Sequence, residues 1–412
     1  MRKSIFLPLT LLFAIVTTTS VWADGKGAHR RHVDRLRVMT KNLYVGADLL
    51  GVNDPRPCGA LQAVHDLFEE ILASNPPERM DAIADEIMRK RPHVIALQEV
   101  YRLSMQVPSN SIKVDSETGA ITFDHFRVND NGTITFKTDA DHIVYDYLEL
   151  LLDALAARGL QYDVVEDAIA YESDFEFPSW HLVQHPDFGC IPADGAFPTD
   201  VRAEDRDVIL VRSDVTADNA TWANYSWLVP IQIPTGEAPA PIVQIISVRG
   251  FSVADITHRG QTYRFVNTHL EVDDQSDPNS PINMIQAAQA QELIAVLSSE
   301  TLSQVVTGDF NSSPDPRDVT TSYELMQAAG YTDIWPSFRW RPGYTCCQAD
   351  DLMNFSSLLS KRVDLVLTLP AAETELLWSP ARVTGNRQRD KTASGLWPSD
   401  HAGVAALLRF RQ

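Results

Sequence analysis

Cysteine is scarce: four residues, Cys58, Cys190, Cys346 and Cys347, in a chain of 412. No Cys-x-x-Cys occurs, and none of the four stands at zinc-site spacing from a histidine, which argues against redox catalysis and a thiolate zinc centre. Positive charge is also short. Against 55 acidic residues there are 35 Lys and Arg, for a formal net charge of -20. Such a surface repels DNA and anionic lipid at long range and forfeits counterion-release affinity. A tight electrostatic nucleic-acid binder is disfavoured; an enzyme that touches its substrate briefly is not. Beyond the first 23 residues no apolar run is long enough to cross a membrane, no internal repeat recurs, and no low-complexity stretch follows the leader.

What is present begins with an export signal. Arg2 and Lys3 precede an apolar run from Ile5 to Val16, and Val21-Trp22-Ala23 ends in a small residue suited to signal peptidase. The run falls short of the roughly 20 residues a membrane span needs, so cleavage is expected, with no transmembrane segment in the mature chain. Residues 24–34 read as a basic flexible leader, and 35–412 as one domain with an insertion at about 103–200. Loss of Arg2 and Lys3 takes the charge from -20 to -22. A secreted protein, extracellular or periplasmic, keeps its disulfides. A bond between the neighbours Cys346 and Cys347 is expected to be strained, so each is expected to pair elsewhere.

Apolar content of 44% and charged content of 22% are those of a globular protein. Leu36, Val38 and Thr40 alternate with polar residues as in a strand. Leu61, Val64, Phe68, Ile71 and Leu72 recur at helical spacing, and Pro76-Pro77 stops that helix. A second helix carries Met80, Ile83 and Ile87, and a buried strand, Val94 to Leu97, follows. Further helices are expected near His142 to Ala157, Met284 to Leu297 and Tyr323 to Ala329. Strands are expected at Tyr162 to Val165, Val208 to Val211, Val243 to Ile246, Val305-Val306, Val363 to Leu367 and Val404 to Phe410, with a hairpin turning at Arg259-Gly260. Helices and strands interleaved in this way define an α/β protein.

Chemistry concentrates at strand ends. Thr40-Lys41-Asn42, Leu97-Gln98-Glu99, Asn267-Thr268-His269, Gly308-Asp309-Phe310-Asn311 and Ser399-Asp400-His401 each place an acid, amide or histidine just past an apolar stretch, and Arg362-Val363-Asp364 opens a strand. Singly, each has a plain structural explanation: a turn residue, a surface acid, a half-buried histidine or a structural ion pair. Six together are hard to credit to chance, because polar groups at strand ends converge on one rim of a sheet, where ligands bind.

In this order the segments resemble the signature motifs of the endonuclease/exonuclease/phosphatase superfamily, with relatives among deoxyribonuclease I, exonuclease III, the inositol-polyphosphate phosphatases and the sphingomyelinases. Gly308 to Asn311 and Ser399 to His401 are its most specific elements, and the match runs from Arg37 to Phe410. The resemblance implies a four-layer sandwich, two β-sheets packed face to face with helices outside. It also implies a metal shell of Asn42, Glu99 and Asp400, with Glu99 the main ligand, and Mg²⁺ or Mn²⁺ as the ion. Asp309 would orient or deprotonate the attacking water, and Asn311 would fix that water and a phosphate oxygen. His401 would bond the phosphoryl oxygens with Asp364 holding its ring, and His269 matches a second substrate-binding histidine. Asp205 or Asp207 would supply the acidic partner of His269.

The residue types support the same chemistry on their own. Ester hydrolysis at phosphate spreads charge onto oxygens, so catalysis is positioning and electrostatic stabilisation. Carboxylate and amide oxygens suit a hard divalent cation, and a histidine held by an acid has a fixed tautomer. The expectation is a secreted phosphodiesterase of the deoxyribonuclease I type, a nuclease. The alternatives are a sphingomyelin or phospholipid phosphodiesterase and an inositol-phosphate phosphatase. No protein partner is implied. The lipid alternative looks to Trp335 and Trp340 as a membrane loop, against which stands the tendency of Trp to be largely buried. A silent phosphoester-binding module would have lost one of Glu99, Asp309 or His401, and all three are present.

Overall fold

Val38 and Met39 are neighbours in the chain, both are buried, and they pack into different cores. A strand covered on both faces does this, because successive side chains point to opposite sides. The computed structural model describes residues 33–49, 58–116, 118, 120–187, 189–234, 242–335 and 342–412. The expected export signal and almost all of the expected leader fall outside the described residues, and Val33–Gln412 form one compact unit.

The first half of the frame comprises β1 (Val33–Asn42), α1 (Gly59–Ala73), α2 (Pro76–Lys90), β2 (Val94–Gln98), β3 (Arg102–Gln106), α3 (Tyr147–Ala157), β4 (Ala170–Ser179) and β5 (Thr199–Arg212). The second comprises β6 (Thr216–Asn224), β7 (Gly250–His258), β8 (Gln261–His269), α4 (Pro281–Leu297), β9 (Ser303–Asp309), α5 (Ser322–Ala328), β10 (Asp364–Leu369) and β11 (Gly403–Arg411). One sheet runs β11-β1-β2-β5-β3, and the other runs β6-β7-β8-β9-β10. Within them β1 is parallel to β2 and β8 is parallel to β9, while the other neighbours are antiparallel.

Alternation separates three apolar layers. Between the sheets lie Val38, Val94, Ala96, Ile209 and Val211 of one, with Ala254, Ile256, Phe265, Val305 and Val366 of the other. On the outer face of the first sheet, Met39, Ile95, Leu97 and Leu210 meet Phe68, Ile83, Ile87 and Leu151 from α1, α2 and α3. On the outer face of the second, Val253, Val266, Val306 and Leu365 meet Leu293 and Met326 from α4 and α5. Helices, sheet, sheet, helices: the four-layer α/β sandwich is observed.

Two local readings change. His142–Asp146 is a strand paired with β3, and the helix starts only at Tyr147, where the Asp146 carboxylate accepts from the Leu148 and Glu149 amides as a cap. The helical spacing of the apolar residues carried the expectation too far back, because a cap ends the helix before its pattern does. Cys346 and Cys347 are bonded to each other, and Cys58 pairs with Cys190. The expectation that each would pair elsewhere fails because Cys58 and Cys190, 132 residues apart, meet each other and leave the neighbours no other cysteine. Within residues 103–200, Phe126–Val128 and Ile134–Phe136 join Val229–Pro234 and Ile242–Ser247 in a four-stranded sheet, and the other paired segments are of two kinds. β3, β4 and Tyr162–Val164 join the first sheet and α3 its helical layer, whereas Ile112–Val114 with Ile121–Phe123, and Leu182–His185 with Gly189–Pro192, form separate hairpins. Among the described residues no helix is long and apolar enough to cross a membrane.

Candidate active site

The ends of β1, β2, β8 and β9, the start of β10 and the turn into β11 open on one cleft of about 750 Å³. Its lining includes Glu99, Asp205, His269, Asp309, Asn311, Asp400 and His401. Register brings them together. Asn42 lies opposite Gln98, His269 opposite Asp309, and Asp309 opposite Asp364 across successive strand pairs. Gly308 makes the β8–β9 approach feasible: its φ is +145°, and a Cβ there would lie 1.8 Å from the Thr268 carbonyl oxygen.

Asn42 ties the two halves of the site. Its Nδ2 donates to Glu99 Oε1 at 2.9 Å and to Asp309 Oδ2 at 3.1 Å, while its Oδ1 accepts from the Tyr44 amide at 2.9 Å. Glu99 Oε2 accepts from the Val45 amide at 3.0 Å. Glu99 (φ 53°) and Asn311 (φ 46°) both sit in the left-handed region, a conformation that costs about 1–3 kcal/mol and persists where the surroundings over-determine it. For Asn311 those surroundings are clear: its amide donates to Asp309 Oδ1 at 2.9 Å, its Nδ2 to the Leu270 carbonyl at 2.9 Å, and its carbonyl accepts from Gln286 at 3.0 Å.

His401 rests on an acid. Its Nδ1 lies 2.9 Å from Asp364 Oδ2 and 3.5 Å from Asp309 Oδ2, and its Nε2 lies 4.0 Å from Asp400 Oδ2. Burial works against its charge, yet Asp364, Asp309 and Asp400 together hold it well above the usual histidine range, so the ring is an imidazolium at neutral pH. Behind it, Lys41 Nζ donates to the His401 carbonyl at 2.6 Å and Arg79 Nε to the Pro398 carbonyl at 3.0 Å. Both cations are fully buried, and both brace the Ser399–His401 turn.

His269 is held differently. Its Nδ1 meets Arg249 Nη1 at 2.9 Å, with Glu172 Oε2 at 3.5 Å, and its Nε2 lies 3.9 Å from Asp309 Oδ2. Burial, then the charge of Arg249, lowers its pKa to about 4, so the ring is neutral at pH 7. Asp205, expected as its acidic partner, lies in the same buried cluster, but its contact is with Arg249 at 3.4 Å. Packing Glu172, Asp205 and Asp207 together out of water calls for a cation, and that cation takes the position beside the ring. Sequence reasoning missed Glu172, Arg249 and Arg79, none of which stands in a motif, and gave no role to Lys41, which lies inside the Thr40–Asn42 segment. The nearest signal is the Arg249-Gly250 pair where β7 begins.

The acids fit a divalent ion. Burial, reinforced by Glu99 and Asp309 and opposed by His401 and Arg79, pushes the Asp400 carboxyl up to about 7. Carboxylates crowded with few counter-charges, offering oxygen donors only, are relieved by a hard cation. Trp335 is half-buried against the inter-sheet core, and Trp340 lies outside the described residues.

A sandwich of this kind, with acids, amides and two histidines gathered at its strand ends, defines a phosphoesterase-type scaffold. Residues 40–401 match the model of the Endonuclease/Exonuclease/phosphatase family, and the chain belongs to that family, whose members are generally metal-dependent phosphoesterases. Among solved structures it is similar to family proteins from Bacteroides vulgatus (13% identity, 91% of this chain and 98% of that one, TM-score 0.44) and Leptotrichia buccalis (15%, 90% and 99%, TM-score 0.42). It is also similar to a humanized D. rerio TDP2 (13%, 91% and 98%, TM-score 0.45). No curated protein matches it in sequence.

Proposed function

We propose that the protein is an exported, divalent-metal-dependent phosphodiesterase. The observation that carries this is the connected set running by hydrogen bonds from Glu99 through Asn42 to Asp309, and on by ion pairs to His401 and Asp364, with Glu99, Asp309 and His401 lining one cleft. Glu99 and Asp400, with Asn42 alongside, would hold the ion, which supplies Lewis-acid polarisation of a phosphoryl oxygen. The remaining roles belong to the chain. Asp309 takes the proton of the attacking water, and Asn311, anchored at Leu270, holds that water and a phosphoryl oxygen. His401, charged and fixed by Asp364, donates to the phosphoryl oxygens as their charge grows. His269 donates through Nε2 to the same group. Export rests on the N-terminal signal and on the Cys58–Cys190 bond, of a kind that persists in oxidising compartments.

Two substrate classes compete at this site. A nuclease follows the phosphates that flank the scissile one with basic side chains. The cleft's Arg249 and Lys361 are already paired, with Glu172 and Asp205 and with Asp273. Its lining also includes the apolar Phe175, Val229, Ile231 and Ile245. These observations favour a diester bearing an apolar group, as in the phospholipid reading, over a polyanion. The test is hydrolysis of bis-(p-nitrophenyl) phosphate, plasmid DNA and short-chain phosphatidylcholine. Activity should vanish in EDTA and return with Mg²⁺ or Mn²⁺, and the lipid should be turned over at least tenfold faster than DNA. Full activity in EDTA with no metal retained would sink the first claim, and faster DNA cleavage the second.

A further inference from the structure

We propose that Arg249 is a resident cation: its guanidinium fills the point where a second metal ion would otherwise bind, so the site works with one ion and an arginine orients His269. The claim rests on the metal-dependent reading above and concerns Arg249, Glu172 and Asp205, which that reading leaves without a role.

Glu172, Asp205 and His269 are buried, and their ligand-type atoms lie within 4.8 Å of one another. One imidazole and two carboxylates are a common metal-binding set. All three point at a single atom. Arg249 Nη1 lies 2.9 Å from His269 Nδ1, 3.3 Å from Glu172 Oε2 and 3.4 Å from Asp205 Oδ2. An ion bound to those atoms would stand about 2.0–2.2 Å from each, in space the guanidinium occupies. Unlike an ion, this cation neither dissociates nor deprotonates.

Its placement is built in. Glu172 is pinned at both oxygens, one by Arg249 and the other by the Gly250 amide at 2.8 Å. The Arg249 carbonyl accepts from the Tyr225 amide at 2.9 Å, and the Val248 amide donates to Ser173 Oγ at 2.9 Å. At Gly250 a Cβ would stand 2.8 Å from the Ala223 carbonyl oxygen, so the chain beside the arginine admits no side chain without a shift. For His269 the result is one tautomer. Nη1 can only donate, so Nδ1 accepts, and the proton resides on Nε2, the nitrogen nearer Asp309. A metal bound at Nδ1 would leave the same tautomer. Arg249 is therefore a positioning residue that fixes the ring as an ion would.

The experiment counts ions and reads the ring. Equilibrium dialysis against Mn²⁺ should give one ion per chain for the wild type and two for Arg249→Met, which empties the pocket while keeping its bulk. The double variant Arg249→Met/Glu172→Gln should return to one. In ¹⁵N spectra of the wild type, His269, assigned by its loss in His269→Gln, should be protonated at Nε2 and bare at Nδ1. A wild type that binds two ions, one of them lost in Glu172→Gln, would overturn the proposal, as would a ring protonated at Nδ1. Arg249→Met that still binds one ion and leaves the ¹⁵N pattern unchanged would overturn it too. Should Arg249→Met fail to fold, the wild-type count and spectrum decide alone. A wild type that binds no ion would instead refute the metal-dependent reading, and the ring's tautomer would still test the arginine's hold on it.

Discussion

Asp309 Oδ2 lies 3.5 Å from one histidine, His401, and 3.9 Å from another, His269, and the two rings are held in opposite charge states. Both are buried. One follows Ser399-Asp400 and leans on Asp364; the other ends β8 and leans on Arg249. Burial alone would neutralise both. At His401 three carboxylates overcome it, whereas at His269 the arginine adds to it. What a buried histidine does here is thus decided by the charges packed beside it, and the site gains a charged donor and a neutral donor from one residue type.

The strongest way to break this comparison is to remove the charged ring. His401→Ala deletes a hydrogen bond that strengthens as charge develops, and kcat should fall about 10²–10⁴-fold, or about 3–5 kcal/mol in the barrier. Added Mg²⁺ should not repair it. Glu99→Gln should instead weaken metal affinity, so that high Mg²⁺ recovers part of the rate. Steady-state kinetics across a Mg²⁺ series, on variants whose circular dichroism matches wild type, separate the two. Rescue of His401→Ala by metal as readily as Glu99→Gln would undo the assignment.

The neutral ring is sharpened by pH. His269 has a folded pKa near 4, below the unfolded value of about 6.5, so between those values the unfolded chain binds more protons. Its stability contribution is complete above pH 6.5 and is lost as pH falls towards 4, by about 3 kcal/mol. His401 runs the other way: its raised pKa stabilises the fold at low pH, and that stability is lost as pH rises through it. Urea midpoints of the metal-free protein at pH 7 and pH 4.5 should therefore fall less for His269→Gln than for wild type. His93 and His258, also lowered by burial, titrate in the same direction, so the difference between the two proteins' slopes is the readout. Equal slopes would mean that His269 is not held neutral.

The smallest effect should come from a pair that lines the cleft but is bonded to neither histidine. Lys361 and Asp273 meet at the cleft mouth, with the lysine about a third exposed. Lys361→Ala should change stability by less than about 1 kcal/mol, measured by thermal melting. A loss as large as that expected at either histidine would show that the mouth, and not the arginine or the acid, organises the site.

Much of this was legible in the sequence for a physical reason. A site residue at a strand end is announced by the apolar strand before it, as Val94 to Leu97 announce Glu99 and Val305-Val306 announce Asp309. The layered fold was legible for the same reason, since strands buried on both faces read as unbroken apolar runs. Glu172 and Arg249 had no such herald. Glu172 sits where the β4–β5 register shifts, between Tyr171 and Asp174, and Arg249 lies in the short connection before β7. Their convergence depends on which strands become neighbours, and that is set by long-range pairing, to which local patterns are blind. The Cys346–Cys347 bond was missed because it follows from Cys58 and Cys190 meeting across 132 residues of chain, which no local pattern announces.

The double-sided burial of β9 has a consequence for how damage spreads. Val305 and Val306 serve different cores, so a slip of one residue would turn every side chain to the wrong face. The next allowed position lies two residues, about 6.8 Å, away. Asp309 therefore has no gradual way to drift from Asn42 and His269. Its location is discrete, and errors in it are all-or-nothing. A population weakened by substitutions in these cores should behave as a mixture of fully competent and wholly inactive molecules, so that the active fraction titrates downward while turnover per active molecule stays constant.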